Sequence, residues 1–414
     1  MTRNSVDVLV IGGGAAGMAA ATTAAQAGAR TLLLERDEEP GGVLNQCIHP
    51  GFGLHRYQEE LTGPEFAARL LLELDGSHAK VVSRCSVLDI DPQQSNPLIK
   101  AVSPKGVMQI RPQALIWATG ARERPFGSLL TPGPRPAGIY TAGLAQRVVN
   151  IHGYLPGKRA LILGSGDIGL IMARRLHLEG TEVAAVAELA PFPGGLMRNV
   201  VQCLDDYDIP LLLSHTVTQI HGRDRLTGVT LARVDEAGRP IPGSEEDIEI
   251  DTLILSVGLI PENELILPFV NLDPLNKGPR VDSRMQTETP WLFAAGNNVV
   301  IFDLVDSVAA VGEKAGQFAA HYARNNLTPH SPIPLVRGDN VLHLVPTALT
   351  PEIPTILYLR VTHPMRQAEI KVGRVLSRKQ MGVRPSEMIE IKISDDELKE
   401  LAQSSEILVK VTGT

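Results

Sequence analysis

Two glycine motifs of identical spacing are the residues of this chain best suited to chemistry. Glycine occupies the first, third and sixth positions of both Gly12–Gly17 and Gly164–Gly169. These positions allow a tight turn, a close approach of backbone to a pyrophosphate and close packing of the next helix. About 20 residues further on, Glu35 and Glu188 supply a carboxylate of the kind that binds an adenosine ribose. A chain holding two dinucleotides can pass electrons between them.

The flanking sequence predicts the elements that position each motif. The apolar run Val6–Ile11 predicts a buried strand, residues 15–28 a small-residue helix, and Thr31–Leu34 a second strand. The second motif repeats the order, with a strand at Arg159–Leu163, a helix over 168–179 and a strand over 182–187. Strand, turn, helix and strand form the unit in which a helix N-terminus binds phosphate.

Bulk properties bound the class of protein. The 414 residues predict two or three domains, and 43% hydrophobic residues suffice for a sizeable core. A net charge of −7 argues against nucleic acid as a partner. Three widely spaced cysteines form neither a disulfide framework nor a metal motif, which favours a cytoplasmic location and no metal site. The uncharged stretch 8–29 is rich in Gly, Ala and Thr, so no membrane span is expected.

The first motif, Glu35, the pair Gly41–Gly42 and the stretch 118–122 resemble the pyridine nucleotide–disulfide oxidoreductase superfamily of two-dinucleotide-fold flavoproteins. The resemblance implies an α/β fold with two Rossmann-like domains, the NAD domain being inserted in the FAD domain. We expect the FAD domain over 1–132 and 263–328, and the NAD(P) domain over 133–262. A small C-terminal α+β domain, 329–414, would serve docking or dimerisation.

The resemblance also implies which residues contact the cofactors. The FAD contacts would be Gly12, Gly14, Ala15, Ala16, Gly17, Glu35, Arg36, Gly41, Gly42, Ala118, Thr119, Gly120, Gly296 and Asn297. The NAD contacts would be Gly164, Gly166, Asp167, Ile168, Gly169, Glu188 and Gly258. Asn297 stands where the family usually has Asp, so the oxygen acceptor remains and a charge is lost. Glu188 would repel a 2′-phosphate, which favours NAD(H) over NADP(H).

Many members of this superfamily carry a Cys-x4-Cys pair just after the Gly-Gly pair, and here only half of it is present. Leu44 occupies the first cysteine position, and Cys47 remains. A dithiol relay needs two adjacent thiols, so disulfide reduction by this route is not expected. Cys47 is either a single redox thiol or a packing residue near the flavin. His49 and His55 are either proton carriers or structural residues.

Residues 42–49, 51–54 and 60–65 resemble one branch of the superfamily. Its members accompany a glycerol-3-phosphate dehydrogenase-like flavoprotein and a small Cys-rich protein, and related subunits occur in opine and hydroxyproline oxidases. The branch implies an FAD-dependent NAD(P)H oxidoreductase that exchanges electrons with a partner flavoprotein in a homo- or hetero-oligomer. Two alternatives stay open. One is a single-cysteine NADH oxidase, peroxidase or coenzyme A disulfide reductase using Cys47. The other is a non-catalytic subunit that holds FAD.

Overall fold

The computed structural model describes residues 6–92, 96–325 and 331–413. The chain divides into two compact units. The first unit contains the described residues of 6–121 and 261–413, and the second is Arg122–Ile260. The C-terminal segment therefore belongs to the same compact unit as the first glycine motif. The predicted boundary between residues 328 and 329 lies outside the described residues.

The helices and strands are numbered here in chain order. Residues 6–123 contain β1 (Val6–Ile11), α1 (Ala15–Gln26), β2 (Thr31–Leu34), β3 (Pro50–Phe52), β4 (Leu61–Thr62), α2 (Gly63–Gly76), β5 (Lys80–Val82), β6 (Ser86–Asp91), β7 (Leu98–Ser103), β8 (Gly106–Ile110), β9 (Pro112–Trp117) and β10 (Ala121–Glu123). Residues 139–261 contain β11 (Ile139–Thr141), α3 (Ala142–Asn150), β12 (Arg159–Leu163), α4 (Asp167–Leu178), β13 (Glu182–Glu188), α5 (Met197–Cys203), β14 (Leu211–Leu213), β15 (His215–Gly222), β16 (Leu226–Arg233), β17 (Glu246–Ile248), β18 (Thr252–Leu255) and β19 (Leu259–Pro261). The remainder contains β20 (Leu292–Ala294), α6 (Val305–Ala323), β21 (Ile333–Arg337), β22 (Val341–Val345), β23 (Ala348–Leu349), β24 (Thr355–Val361), β25 (Met365–Val372), β26 (Leu376–Val383), β27 (Ile389–Ile393), α7 (Asp395–Leu401) and β28 (Ile407–Gly413).

Each unit is built on a five-stranded parallel sheet. In the first unit the order is β20-β9-β1-β2-β5, so β1 lies at the centre, where Val8, Leu9 and Val10 are fully buried. In the second unit the order is β11-β18-β12-β13-β14. Strands buried on both faces require the continuous apolar runs seen around both glycine motifs. The predicted strands before and after each motif are thereby confirmed, as is the α/β fold.

The helix after the first motif packs backbone to backbone against α6. A Cβ added at Gly312 would lie 2.3 Å from the carbonyl oxygen of Ala16, and one at Gly316 would lie 2.2 Å from that of Ala20. Only glycine permits this approach, and only small residues on α1 can face it. The Ala-rich composition of α1 is therefore a packing requirement that brings α6 next to the first motif.

The C-terminal segment folds into two sheets and one helix around its own apolar core. The sheet orders are β23-β21-β28-β25-β26 and β22-β24-β27. A capping box begins α7, because the Ser394 hydroxyl accepts from Glu397 N–H while the Glu397 carboxylate accepts from Ser394 N–H. Polar side chains join this segment to the rest of the unit: Asp273 pairs with Arg337 at 2.8 Å, and Asp303 pairs with Arg360 in a largely buried contact.

His343 is a half-buried histidine on β22. Its Nδ1 is buried with no hydrogen-bond partner among the described residues. Burial, aided by the positive charge of Arg360, lowers the pKa of His343 from 6.5 to about 4. The folded chain therefore keeps this imidazole neutral at a pH where the unfolded chain protonates it.

We expect His343 to make folding sensitive to acid. Between pH 6.5 and about 4 the unfolded state binds a proton that the folded state refuses, so the free energy of unfolding falls as pH falls, by on the order of 3 kcal/mol once both pKa values are passed. His343→Gln should remove this component. Urea unfolding of both proteins across this range measures it, with His152→Gln, at an exposed histidine, as control. Equal losses of stability in wild type and His343→Gln would contradict the prediction.

Candidate dinucleotide-binding sites

The first glycine turn passes so close to neighbouring backbone that side chains are excluded. Gly12 has a φ of +100°, and a Cβ there would lie 2.4 Å from the carbonyl oxygen of Ala118. A Cβ at Gly17 would lie 1.8 Å from the carbonyl oxygen of Gly12. The turn and packing roles that the sequence predicts for these two glycines therefore have a direct steric cause.

Gly14 leaves open space at the start of α1. It is the N-cap residue, no side chain caps the helix, and no protein atom lies within 4 Å of the position of its missing Cβ. The first amides of α1, including those of Ala15 and Ala16, lack acceptors within the helix. Uncapped amides beside open space suit an anion such as a pyrophosphate, so these residues fit FAD.

Glu35 fastens the end of β2 to the turn. Its side chain is buried, and its two carboxylate oxygens accept from the backbone N–H of Gly13 at 2.5 Å and of Asp37 at 2.7 Å. Gly41 N–H donates to the carbonyl oxygen of Gly13 at 2.8 Å, which lays the Gly41–Gly42 pair against the same turn. Carboxylate lone pairs beyond these two bonds are available to a ribose hydroxyl. Arg36, also a predicted contact, is exposed.

The remaining predicted FAD residues converge on the same sheet edge. Thr119 Oγ1 and Trp117 Nε1 both donate to the carbonyl oxygen of Glu262, and Glu262 N–H donates to that of Gly120. At Gly296 a Cβ would lie 2.9 Å from Ala16 Cβ.

The Asn297 side chain is already engaged within the protein. Its Oδ1 accepts from Phe302 N–H at 3.1 Å. Its predicted contact with a ribityl hydroxyl therefore depends on the second lone pair of this oxygen or on its amide N–H groups.

The second turn repeats the design of the first. Gly164 has a φ of +97°, and a Cβ there would lie 2.1 Å from the carbonyl oxygen of Ser256. At Gly169 a Cβ would lie 2.7 Å from the carbonyl oxygen of Gly164. Glu188 accepts from the N–H of Ser165 at 2.8 Å and of Ala190 at 2.9 Å, as Glu35 does from its own turn.

The second turn differs by adding side-chain contacts. Ser165 Oγ donates to Glu188 at 2.6 Å and accepts from Gly194 N–H at 2.8 Å. The Asp167 carboxylate, in the first turn of α4, accepts from Leu196 N–H at 2.8 Å and from Asn199 Nδ2 at 2.6 Å.

Two other residues of this unit, Ile168 and Gly258, are predicted NAD contacts. Ile168 is half-buried on α4. Gly258 has a φ of +102°, with Arg124 Nε 3.9 Å from its missing Cβ as the nearest atom.

The sequence prediction did not foresee the contacts of Ser165 or of the Gly194–Gly195 pair. A signal for them is present in the sequence. A Pro-Gly-Gly triplet ends seven residues after each strand-end carboxylate, at Gly42 after Glu35 and at Gly195 after Glu188. This repeat extends the internal similarity beyond the glycine motifs.

The three cysteines are separate thiols, and none of these described residues forms a disulfide. Burial raises the pKa of the Cys85 thiol, and raises that of Cys203 to about 11. Cys47 is half-buried, and its backbone carbonyl accepts from Gly63 N–H at 2.8 Å. Leu44, at the position of the missing cysteine, is buried. Because Cys85 and Cys203 are buried whereas Cys47 is half-buried, Cys47 is the most accessible of the three thiols and the better candidate for redox chemistry.

The segment that contains the candidate histidines is held by α6. The buried Asp306 carboxylate accepts from the N–H groups of Gly53, His55 and Arg56 at 2.8–3.3 Å. Arg56 Nη atoms pair with Glu73 and Glu313; burial opposes its charge, but these hydrogen bonds raise its pKa overall.

The two histidines themselves lie near the surface of this segment. His49 is half-buried, with its Nδ1 3.0 Å from the Pro50 carbonyl oxygen and its ring 5.0 Å from that of Phe52. His55 is exposed.

Across residues 6–92, 96–325 and 331–413, no helix has the length and apolar character needed to cross a membrane. The same residues contain no cluster of three or more His, Cys, Asp or Glu side chains suited to a metal ion.

The chain is similar in sequence to several known proteins. An opine oxidase subunit of Agrobacterium tumefaciens is 26% identical over 275 residues, which cover 63% of this chain and 53% of that protein. Hydrogen cyanide synthase subunit HcnB of Pseudomonas protegens is 27% identical over 283 residues, which cover 63% of this chain and 58% of that protein. The chain thus spans little more than half the length of these relatives.

Among solved structures, the thioredoxin reductase of T. acidophilum has a TM-score of 0.64 at 24% identity and shares the fold, with 78% of this chain and 99% of that one covered. The family model for pyridine nucleotide-disulphide oxidoreductases matches residues 6–315, which include both turns. Because that match covers most of the chain, the protein belongs to the pyridine nucleotide-disulphide oxidoreductase family of FAD-dependent oxidoreductases.

Proposed function

We propose that the chain is an enzyme subunit that transfers hydride between NAD(H) and FAD and exchanges electrons with a partner flavoprotein. The observation that carries the proposal is the duplicated turn. In each unit a Gly-x-Gly-x-x-Gly turn is tied by a strand-end glutamate to the adjacent backbone, through Glu35 in the first and Glu188 in the second. Two such turns in one chain suit two dinucleotides.

FAD belongs to the first unit in this proposal. Gly14 leaves room for its pyrophosphate, Glu35 accepts from its ribose, and Gly41–Gly42 lies against the same turn. When bound, FAD supplies the redox chemistry, and the protein supplies binding, orientation and electrostatics. Asp306 holds the Gly53–Arg56 backbone on α6, so the chain near the candidate proton carriers His49 and His55 is fixed.

NAD(H) is favoured over NADP(H) at the second unit. Glu188 lies at the end of β13 with both carboxylate oxygens engaged by backbone N–H groups, which stabilises its negative charge. A 2′-phosphate beside it would be repelled. Arg198, the first arginine after Glu188 in the sequence, is exposed on α5.

A protein partner is the proposed destination or source of the electrons. Buried Leu44 at the first cysteine position removes a dithiol route. Two relatives are named as enzyme subunits, which supports a multisubunit assembly. The partner that we propose from the sequence resemblance is a flavoprotein of the opine oxidase or glycerol-3-phosphate dehydrogenase kind, with a small Cys-rich electron carrier. We propose the C-terminal segment 331–413 as the docking or dimerisation element, and a cytoplasmic location in keeping with few cysteines.

A single-cysteine oxidase or reductase is the second candidate function. Cys47 favours it, because it is half-buried next to the Gly41–Gly42 pair whereas Cys85 and Cys203 are buried with raised pKa values. This alternative would use Cys47 as a sulfenate or mixed-disulfide residue.

Replacing Gly14 should separate cofactor binding from folding. Gly14→Ala introduces a methyl group that meets no protein atom within 4 Å but enters the proposed pyrophosphate space. We expect the FAD content of the purified protein to fall at least about tenfold, with the melting temperature of the apoprotein unchanged. Gly76→Ala on α2, which also has no atom within 4 Å, is the matched control. Full FAD retention in Gly14→Ala would refute this placement of FAD.

Reduction of the flavin tests the nucleotide. In anaerobic stopped-flow experiments NADH should bleach the flavin, and NADPH should do so at least about tenfold more slowly because of Glu188. Glu188→Gln should bring the rates of flavin reduction by NADH and NADPH closer together. Glu35→Gln, the same change at the first turn, should alter FAD content and leave the ratio of the two rates unchanged. If neither NADH nor NADPH bleaches the flavin, the proposed function is wrong.

The role of Cys47 is tested by its serine variant. If electrons pass from the flavin to a partner protein, NADH should reduce the flavin of the Cys47→Ser variant at the wild-type rate. The alternative function instead requires Cys47→Ser to lose turnover with peroxide, oxygen or a disulfide. Steady-state assays with each acceptor distinguish the two, and loss of turnover in the variant alone would establish the cysteine mechanism.

A further inference from the structure

The second glycine turn is covered by a loop of its own chain. We name residues 190–196 the Gly194 loop; it runs from the end of β13 to the start of α5. Gly195 is buried within it, and a Cβ at Gly195 would lie 3.0 Å from the Asp167 backbone nitrogen. That nitrogen belongs to the first turn of α4, whose amides would receive a phosphate. The loop therefore packs against the first amides of α4, which we call the second nucleotide seat because a nucleotide phosphate would bind there.

Side chains that the first turn lacks hold the loop in place. Ser165 Oγ accepts from Gly194 N–H at 2.8 Å, and the Asp167 carboxylate accepts from Leu196 N–H at 2.8 Å. At the corresponding positions the first turn has Gly13 and Ala15, which offer no such acceptors. Its own Gly-Gly pair is held by a single backbone bond, from Gly41 N–H to the Gly13 carbonyl oxygen.

The loop is also anchored at both ends. Ala190 N–H donates to Glu188, and Asn199 Nδ2 donates to the same Asp167 oxygen that accepts from Leu196. Ser165 is fully buried and bridges Glu188 and Gly194, so its hydroxyl connects the ribose-binding carboxylate to the loop. The loop is thus connected to Glu188 in two ways, through the Ser165 hydroxyl and through the Ala190 N–H.

We propose that the Gly194 loop is a self-occluding strap over the second nucleotide seat, latched by Ser165 and Asp167, which an adenine nucleotide must displace in order to bind. This inference rests on the proposed function in one respect, that the second turn accepts a nucleotide. It adds that the second site opens and closes whereas the first has no latch. The Ser165 and Asp167 side chains determine the fraction of molecules in which the loop is closed. The apparent affinity for the nucleotide is the intrinsic affinity multiplied by the fraction of molecules that is open.

The experiment uses the FAD-loaded protein and ADP, the part common to adenine dinucleotides. Ser165→Gly and Asp167→Ala introduce into the second turn the residues found at the corresponding positions of the first turn. Each is expected to bind ADP about tenfold more tightly than wild type, in proportion to the latch bonds removed. Without ADP, hydrogen exchange at the Gly194 and Leu196 amides should be faster in both variants, and in wild type those amides should lose protection when ADP binds.

Two further variants isolate the latch. Asp167→Asn keeps an acceptor for Leu196 N–H and removes only the charge, so any tightening of ADP binding in this variant measures the charge effect and should be several-fold smaller than in Asp167→Ala. Asp251→Ala removes a carboxylate that caps two N–H groups at Lys158 and Arg159, at the opposite end of β12, and should leave exchange in the Gly194 loop unchanged.

The proposal is overturned by ADP binding that is unchanged or weaker in both latch variants, by equal tightening in Asp167→Asn and Asp167→Ala, or by greater protection of the Gly194 loop when ADP is bound. Binding of ADP by none of the proteins also overturns it. None of these readouts involves electron transfer, so failure of NADH to bleach the flavin leaves this test decisive.

Discussion

Close approach of two backbones at the end of a central strand is the constraint on which this structure depends. The turn after β1 passes the Ala118 carbonyl at a distance that admits no Cβ on Gly12, and the turn after β12 passes Ser256 in the same way at Gly164. Once the turns are that tight, the following helices must start beside the sheet edge. Their first amides then lie where the proposed function places a phosphate. Fold and binding capacity thus have one steric origin.

The strand-end glutamates complete what the glycines begin. A tight turn leaves backbone N–H groups that need acceptors, and Glu35 and Glu188 satisfy one in each turn from the neighbouring strand. In the proposed function the same carboxylates also bind the ribose hydroxyls, so one side chain would serve both the structure and the binding. A carboxylate already fixed by backbone donors loses little side-chain entropy when a ribose arrives.

The sequence predicted the parts of the fold that arise from local pattern. The strands Val6–Ile11, Thr31–Leu34 and Arg159–Leu163 have the predicted bounds, because buried parallel strands require unbroken apolar runs. The three-stranded antiparallel sheets β6-β7-β8 and β15-β16-β17 were not predicted. Their strands follow one another in the chain and pair as hairpins, but strands such as β6 carry many exposed residues, so no continuous apolar run marks them in the sequence.

The candidate sites follow the same division. Glycine positions and the paired glutamates are visible as spacing, whereas the partners of Asp167 and Asn297 are not. Asp167 accepts from residues about 30 positions later, and Asn297 Oδ1 accepts from Phe302 N–H inside its own loop. A side chain's choice between ligand and protein depends on which donor the folded chain brings near it. Spacing alone therefore identifies the seat of a nucleotide but not the contacts that compete with it.

That competition is what separates the two sites of this chain. Both have the same turn, the same glutamate and a Gly-Gly pair at the same distance, so the backbone equips both for a dinucleotide. Within the turns they differ at three positions, with Gly13, Ala15 and Ala16 in one and Ser165, Asp167 and Ile168 in the other. Of these residues, only Ser165 and Asp167 have polar side chains. Where the polar side chains are absent, the helix N-terminus stays open, which suits the cofactor that the proposed function retains throughout turnover. Where they are present, the chain itself satisfies part of the site, which suits a nucleotide that must leave after each hydride transfer.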